Sequence, residues 1–238
     1  GRPGLARALA EAAALSGYAP RMPPRTRRYD PAKVRTALKT QAESIGRAAR
    51  DIPADALTGP SGLPGWSVHE LLVHIALQIE AVARLLEMTP PTVRRPEIDL
   101  STWARSTAGL ADRLDAQTRE EAAHTENAAA RIDAAVAGLE QVADQAGPNR
   151  LIPHPLGAMR AADFLVTRLV ELVVHSDDLA RATGADIPLD RQALAAVTRL
   201  LADAFAAKAP GGAVELRIPP FAAVQCVPGP RHTRGTPA

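Results

Sequence analysis

A line of polar residues crosses an otherwise apolar stretch between residues 162 and 184, and it holds the groups best suited to chemistry. The stretch, ADFLVTRLVELVVHSDDLARATG, predicts a helix that is apolar on nearly every side, which is typical of a buried helix. At steps of three and four residues, which keep side chains on one face, the line contains Thr167 or Arg168, Glu171, His175 and Asp178. Because charged side chains are rarely buried unless they are paired or bind a metal, this stripe predicts a polar partner inside the protein.

The stripe has the residue types and the spacing of a metal site. Glu171 and His175 lie four residues apart, so their side chains can reach one point, as the paired ligands of zinc-binding helices do. A third ligand must come from another helix, and His74, which has apolar neighbours in HELLVHIAL, is the best candidate. Two histidines and one carboxylate leave the fourth zinc position open, as in catalytic sites. Asp178 is then expected to hold the ring of His175 as a hydrogen-bond acceptor.

Each of these residues also has a purely structural interpretation. His74 can be a core histidine with a backbone partner, Glu171 can form a buried ion pair with Arg168, and Asp178 can pair with Arg181. The same set of ligands suits nickel or iron as well as zinc. From the residues alone, a metal site and a buried ion-pair network both stay open.

The bulk composition limits the class of protein. With 238 residues the chain has room for one sizeable domain and part of another. Hydrophobic residues make up 46% but aromatic residues only 3%, and a core of Ala, Leu and Val favours packed helices. A net charge of +2 argues against nucleic-acid binding, and no apolar run approaches the roughly 20 residues of a membrane span. A single cysteine, Cys226, fits a protein of the reducing cytoplasm.

The periodicity predicts an all-α fold, an up-and-down bundle of four main helices with one extra helix. Ser67 and Glu70 have the spacing of a capping box at the start of the helix that carries His74. The predicted helices cover residues 31–50, 67–87, 99–147 with a break in TREEAAHTEN, 162–184 and 190–208. His69 and His124 are expected to face solvent. His154, between two prolines, is expected in a loop, from which an approach to the site from above stays open.

Three regions follow from these elements. Residues 1–29 are predicted to be a flexible basic N-terminal extension, because they are rich in proline and arginine. Residues 30–208 hold the helical bundle. In residues 209–238, the segments VELRIPP and FAAVQCV predict two short strands, the opening of an α/β domain that is incomplete in this sequence.

Two motifs resemble a known family. GWSVHELLVH is similar to the first ligand motif of the mycothiol-dependent maleylpyruvate isomerase family, and DFLVTRLVELVVHSDDLARATG resembles its second motif, Arg-x-x-Glu-x-x-x-His-x-x-Asp-Leu-Ala. That family belongs to the DinB-like four-helix metalloproteins, so the resemblance implies the bundle. It also implies that His74, Glu171 and His175 are the metal ligands. The tail from Gly211 is similar to the opening of a sterol-carrier-like domain.

The resemblance implies a divalent metal, zinc above all, that binds the thiolate of mycothiol, a small-molecule thiol. The thiolate would serve isomerisation or S-transfer on a small electrophilic substrate. Cys226 lies outside the bundle, which fits a reactive sulfur supplied by a cofactor. A non-catalytic carrier of sterols, lipids or other small molecules is the alternative, and an ion-pair core without a ligand is a third. The sequence leaves the substrate and the oligomeric state open.

Overall fold

The fold is described by a computed structural model, which covers residues 27–147 and 149–230. The α-helices are α1 (Pro31–Asp51), α2 (Val68–Glu87), α3 (Leu100–Ser106), α4 (Ala111–Ala123), α5 (Ala128–Val142), α6 (Ala161–Thr183) and α7 (Arg191–Lys208). Short 3-10 helices are found at Ala54–Thr58, Thr107–Leu110 and Ala143–Gln145. The strands are β1 (Leu151–His154), β2 (Gly157–Arg160), β3 (Val214–Ile218) and β4 (Ala222–Cys226). Among the residues that the structure describes, every helix is either too short or too polar to span a bilayer.

Capping residues set the ends of the helices that carry the stripe and His74. The Ser67 hydroxyl accepts from the Glu70 amide, and the Glu70 carboxylate accepts from the Ser67 amide, so the predicted capping box of α2 is confirmed. Helix α6, which carries the polar stripe, ends at Gly184, which has a positive φ of 73°. Glycine adopts that left-handed conformation without a steric penalty, as predicted for a C-cap.

The four main helices of the bundle are α1, α2, α5 and α6. Helices α1 and α2 each pack against both α5 and α6. Helices α1 and α2 therefore lie diagonally opposite each other in the bundle, and so do α5 and α6. The extra helix α7 packs against α1 and α6. This arrangement confirms the predicted DinB-like helical bundle with an extra helix. The largest side chains buried at its centre are Leu38, Ile45, Leu71, Leu72, Ile75, Ile132, Leu139, Leu165, Leu169 and Leu172.

The predicted helical segment 99–147 consists of three separate helices. The break predicted in TREEAAHTEN falls between α4 and α5, where His124 is exposed as expected. Because of this break, α4 lies outside the four main helices and packs on α2. Thr118 of α4 is fully buried. His69 was expected to face solvent, but this was wrong. It is half-buried, and its Nε2 lies 3.2 Å from the Ala122 carbonyl of α4.

Two antiparallel hairpins flank the bundle's last helices. Strands β3 and β4 were predicted, and they pair in register from Val214 opposite Cys226 to Ile218 opposite Ala222. Strands β1 and β2 were not predicted, because the prolines at 153 and 155 indicated a loop; their pairing runs from Leu151 opposite Arg160 to His154 opposite Gly157. A hairpin of two strands tolerates proline since each strand has a free edge. The β1–β2 hairpin therefore places His154 in a strand instead of the expected loop.

The predicted N-terminal extension lies mostly outside the described residues. Where the description begins, the Arg27 guanidinium donates to the Asp203 carboxylate of α7 at 2.9 Å. The last residues of the predicted second domain, 231–238, also lie outside. The domain boundaries at residues 30 and 209 therefore stay a prediction.

Candidate metal centre

Helices α2 and α6 bring the three predicted ligands together. The Nε2 atom of His175 lies 3.3 Å from Glu171 Oε2, and the Nε2 atom of His74 lies 3.8 Å from the same oxygen. One ligand atom from each residue falls within 4.8 Å of the others, which is close enough for a single metal ion to contact all three. All three residues lie mostly out of solvent. Imidazole nitrogen and carboxylate oxygen are donors that zinc accepts, so the set fits a divalent ion.

The far side of each histidine ring is held by a neighbour that turns Nε2 toward Glu171. His175 Nδ1 lies 3.0 Å from Asp178 Oδ2, and His74 Nδ1 lies 3.1 Å from the Thr118 hydroxyl of α4. A partner at Nδ1 sets the tautomer of a ligand histidine and leaves Nε2 as the ligand atom. Two of the three structural alternatives find no support in these contacts, whereas the ion pair of Glu171 with Arg168 is present, with 4.0 Å between Arg168 Nη2 and Glu171 Oε1. Arg181 pairs with Asp177 instead of Asp178, and the partner of His74 is a side chain rather than a backbone group.

The electrostatics favour a positive charge between the two carboxylates. Although burial alone would raise it, the pKa of Glu171 is held well below its usual range by hydrogen bonds to both histidines and by Arg168. Burial likewise opposes charge on His175, yet its hydrogen bonds to Asp178 and Glu171 raise the pKa of that ring to about 9. The pKa of His74 is lowered, chiefly by burial. These shifts favour a protonated His175 beside the Glu171 carboxylate and a neutral His74.

Arg168 and Gln78 form a polar layer beside the triad. The Arg168 guanidinium is buried, stacks 4.7 Å from the Phe164 ring centroid, and donates to the Gln78 side-chain oxygen. The Gln78 amide nitrogen lies 3.2 Å from His74 Nε2. Arg168 Nη2 is 4.0 Å from Glu171 Oε1, too far for a hydrogen bond. The arginine therefore supplies positive charge near Glu171 without occupying the carboxylate.

A cavity opens on the triad. It has a volume of about 100 Å³, and both His74 and Glu171 line it. A wider groove of about 590 Å³ lies outside it. The residues that line both are Arg84, Leu85, Arg113, Gln117 and Pro155. A small molecule can therefore reach the predicted ligands from the surface between α2, α4 and the β1–β2 hairpin.

The structure adds Thr118 and Gln78, which sequence reasoning missed, and it brings His154, expected only as a loop residue that could approach the site, to the cavity wall. Thr118, Gln78 and His154 all contact or line the site, and none of them lies in a ligand motif. His154 is 8% exposed, and its Nδ1 accepts a hydrogen bond from the Leu156 amide at 3.1 Å. Burial, together with the charge of Arg168, lowers the pKa of His154 to about 4. The apolar residues Ile152 and Met159, which pair across the hairpin and are both buried, are the sequence signal that could have indicated it.

The low pKa of His154 predicts a loss of stability in acid. The unfolded chain binds a proton at this ring below about pH 6.5, whereas the folded chain resists it down to about pH 4. The charge of Arg168, which lines the same cavity, adds to that resistance. The free energy of unfolding should therefore fall by about 1–2 kcal/mol between pH 6.5 and pH 4, after allowance for solvent screening.

Urea denaturation of the parent and His154→Asn at pH 7 and pH 4.5 checks this expectation. Asparagine keeps an acceptor for the Leu156 amide but does not titrate, so the variant should lose less stability in acid than the parent. An equal loss in both proteins would show that His154 is not the group responsible.

Comparisons with known proteins agree with the fold. The family described as "Mycothiol maleylpyruvate isomerase N-terminal domain" matches residues 38–180, more than half of the chain, and this range includes all three predicted ligands. A second family, "Bacterial SCP ortholog", matches residues 190–238.

Among solved structures, the chain is similar to the crystal structure of the mycothiol-dependent maleylpyruvate isomerase. The TM-score is 0.55 at 15% identity, and the match covers 85% of this chain and 82% of the other, which shows a common fold. No curated protein sequence matches the chain. With the helical bundle and both sequence motifs in place, the chain belongs to the family of the mycothiol maleylpyruvate isomerase N-terminal domain.

Proposed function

We propose that this protein is an enzyme that uses a divalent metal, zinc, to bind and activate mycothiol for isomerisation or S-transfer on a small electrophilic substrate. The observation that carries the proposal is the convergence of His74, Glu171 and His175 within 4.8 Å of one another, beside a cavity that opens to the surface. When bound, zinc would lower the pKa of a thiol ligand and supply a thiolate at neutral pH.

The protein's own residues would position the metal and keep its open side accessible. His74 and His175 would each offer Nε2, with the rings held by Thr118 and Asp178. Glu171 would supply the anionic oxygen that balances the metal charge. Three protein ligands leave one position for an exogenous ligand, the arrangement of catalytic zinc sites.

A reactive sulfur would have to come from outside the protein. Cys226 is the only cysteine of the chain. It is buried in the β3–β4 hairpin, with its sulfur 3.7 Å from the Val214 carbonyl. A buried thiol in apolar surroundings is inert, and the helices of the metal centre contain no cysteine. This distribution favours a small-molecule thiol as the nucleophile.

The charge of the cavity favours an electrophile that carries a negative group. Arg84, Arg113 and Arg168 line it, and Glu171 is the only acidic residue among the described lining residues. Because Glu171 would be neutralised by a metal, the arginines would leave the cavity positive. A positive, partly dry cavity concentrates and orients an anionic substrate.

The test combines metal content with turnover. Purified protein should contain close to one zinc per chain by plasma mass spectrometry, and His74→Ala should lose most of it. With zinc and mycothiol present, conversion of maleylpyruvate or formation of a mycothiol adduct with an electrophile would support the proposal. A parent protein that takes up no metal even after reconstitution with zinc would overturn it.

A carrier function is the second candidate, since residues 190–238 match the bacterial sterol-carrier-type family. It predicts binding of apolar ligands that chelators do not affect. Titration with a fluorescent fatty acid before and after removal of metal with EDTA separates the two functions. Binding that survives EDTA, together with no thiol-dependent turnover, would favour the carrier.

The buried hydroxyl of Thr118 yields a prediction about metal affinity. Replacing Thr118 by valine keeps the shape of the side chain but removes the partner of His74 Nδ1. We expect zinc affinity to fall about 10–100-fold, the usual cost of losing such an outer partner. Competition with a chromophoric chelator measures the change, and Thr118→Ser, which restores the hydroxyl, is the matched control. Equal affinities for the valine and serine variants would show that the contact does not orient the ring.

A further inference from the structure

His154 is a histidine of the cavity that the proposed function has not used. It ends β1, and it lines the same cavity as His74 and Glu171. Its Nδ1 accepts from the Leu156 amide, and a neutral imidazole that accepts at Nδ1 carries its proton on Nε2. Within the described part of the chain, Nε2 has no hydrogen-bond partner. The turn of the hairpin thus holds the ring in the tautomer that can donate a hydrogen bond from its far nitrogen.

A second hydrogen-bond donor, the Arg168 guanidinium, lies near the His154 ring. Both groups lie beside the Phe164 ring: the His154 ring centroid is 6.0 Å from the Phe164 centroid, and the Arg168 Cζ is 4.7 Å from it. A guanidinium has five N–H groups. Among the described residues, the side chains that accept from Arg168 are Thr167 and Gln78. The Nη2 atom of Arg168 lies 4.0 Å from Glu171 Oε1, beyond hydrogen-bond distance, and Arg168 lines the same cavity as His154, so donors from two different elements lie beside Phe164.

We infer that His154 is a catalytic hydrogen-bond donor of this site, whose Nε2–H acts together with Arg168 to bind the carbonyl oxygen of the electrophilic substrate. The inference rests on the proposed function and names a residue outside the ligand motifs. The substrate it would contact is the electrophile of the proposed function, with a reactive double bond conjugated to a carbonyl group.

The chemistry of such electrophiles explains why a donor is needed there. When a nucleophile adds, a bond forms to the far carbon of the double bond and the π electrons move to the carbonyl oxygen. No proton is consumed, but negative charge develops on that oxygen. Fixed donors in a site with little water stabilise such charge strongly, and a neutral imidazole can donate without itself adding a charge to the cavity.

Two substitutions separate the catalytic role from a structural one. In His154→Asn the side-chain oxygen takes the place of Nδ1 and can still accept from the Leu156 amide, but nothing replaces Nε2–H. In His154→Gln the longer amide can reach toward the position of Nε2 and donate there. A residue that only supports the turn would be replaced better by asparagine, whereas a cavity donor would be replaced better by glutamine.

Steady-state kinetics of the zinc-loaded full chain with mycothiol and maleylpyruvate test this order. We expect His154→Asn to lower kcat about 100–1,000-fold, the usual effect of removing one such donor, with zinc content unchanged. His154→Gln should recover at least about tenfold of that loss. An asparagine variant that keeps the parent kcat, or is more active than the glutamine variant, would overturn the inference.

A binding measurement keeps the inference testable if the parent turns out not to isomerise maleylpyruvate, a result that would count against the proposed function. In protein labelled with ¹⁵N-histidine, NMR should show His154 at pH 7 as the Nε2–H tautomer, with its signals assigned by their loss in His154→Asn. Titration with pyruvate, a small carbonyl compound that carries a carboxylate, should shift the Nε2 resonance and saturate. The opposite tautomer, or no shift up to saturating pyruvate, would refute the donor role.

Discussion

Replacing Glu171 with glutamine is expected to weaken zinc binding by more than about 100-fold. Loss of a residue that only hydrogen-bonds a metal ligand already costs up to about 100-fold, and Glu171 is predicted to be a ligand itself. The amide has the same size as the carboxylate but lacks the charge that both histidines face. Glu171 Oε2 lies 3.3 Å from His175 and 3.8 Å from His74, so this single oxygen links the two imidazoles. The depressed pKa of Glu171 means that the parent offers an anion to the metal over the whole neutral range.

Zinc affinity of the two proteins can be compared by competition with a chromophoric chelator at pH 7. The control is Glu140→Gln, which makes the same chemical change at an exposed position of α5. It should bind zinc like the parent. If Glu171→Gln also bound zinc like the parent, Glu171 would be a partner in a buried ion-pair network and not a metal ligand.

Much of the candidate metal centre could be predicted because its residues follow the period of one helix. Glu171, His175 and Asp178 recur at steps of four and three on α6, and in the structure the Asp178 carboxylate meets His175 Nδ1 at 3.0 Å. The capping box at Ser67 set the start of α2, and the apolar neighbours of His74 indicated that its ring is buried. Local rules of spacing and capping were enough for these positions.

The remaining residues of the site depend on contacts between elements that are distant in the sequence. Thr118 reaches His74 only because the chain breaks after α4 and that helix packs on α2. His154 lines the cavity because it lies in the β1–β2 hairpin, a segment whose two prolines predicted a loop. A sequence pattern reports the period of a single element, and it contains no measure of how two elements meet.

The apolar character of α6 was also overestimated, for a related reason. The stretch is apolar at nearly every position, which predicts burial all round, yet Val174 is 41% exposed. Composition identifies a helix that packs on several neighbours, here α1, α2 and α7. It does not identify the side that they leave open.

Truncating Leu169 to alanine is expected to cost the largest share of stability, roughly 3–5 kcal/mol in the free energy of unfolding. Leu169 is fully buried in α6, two residues before Glu171, and belongs to the core that places this helix against α1 and α2. Removal of its side chain loses the transfer free energy of three carbon atoms and leaves a cavity that the surrounding leucines cannot fill completely.

Urea denaturation of the metal-free proteins at pH 7 measures this cost, with Leu201→Ala as the matched control. Leu201 is 44% exposed on α7, so its truncation should change stability by less than about 1 kcal/mol. Since Leu169 is not among the predicted ligands, the folded fraction of Leu169→Ala should still bind one zinc per chain. Equal losses from the two substitutions would contradict the core assignment, whereas a folded Leu169→Ala without zinc would show that packing in α6 governs the geometry of the site directly.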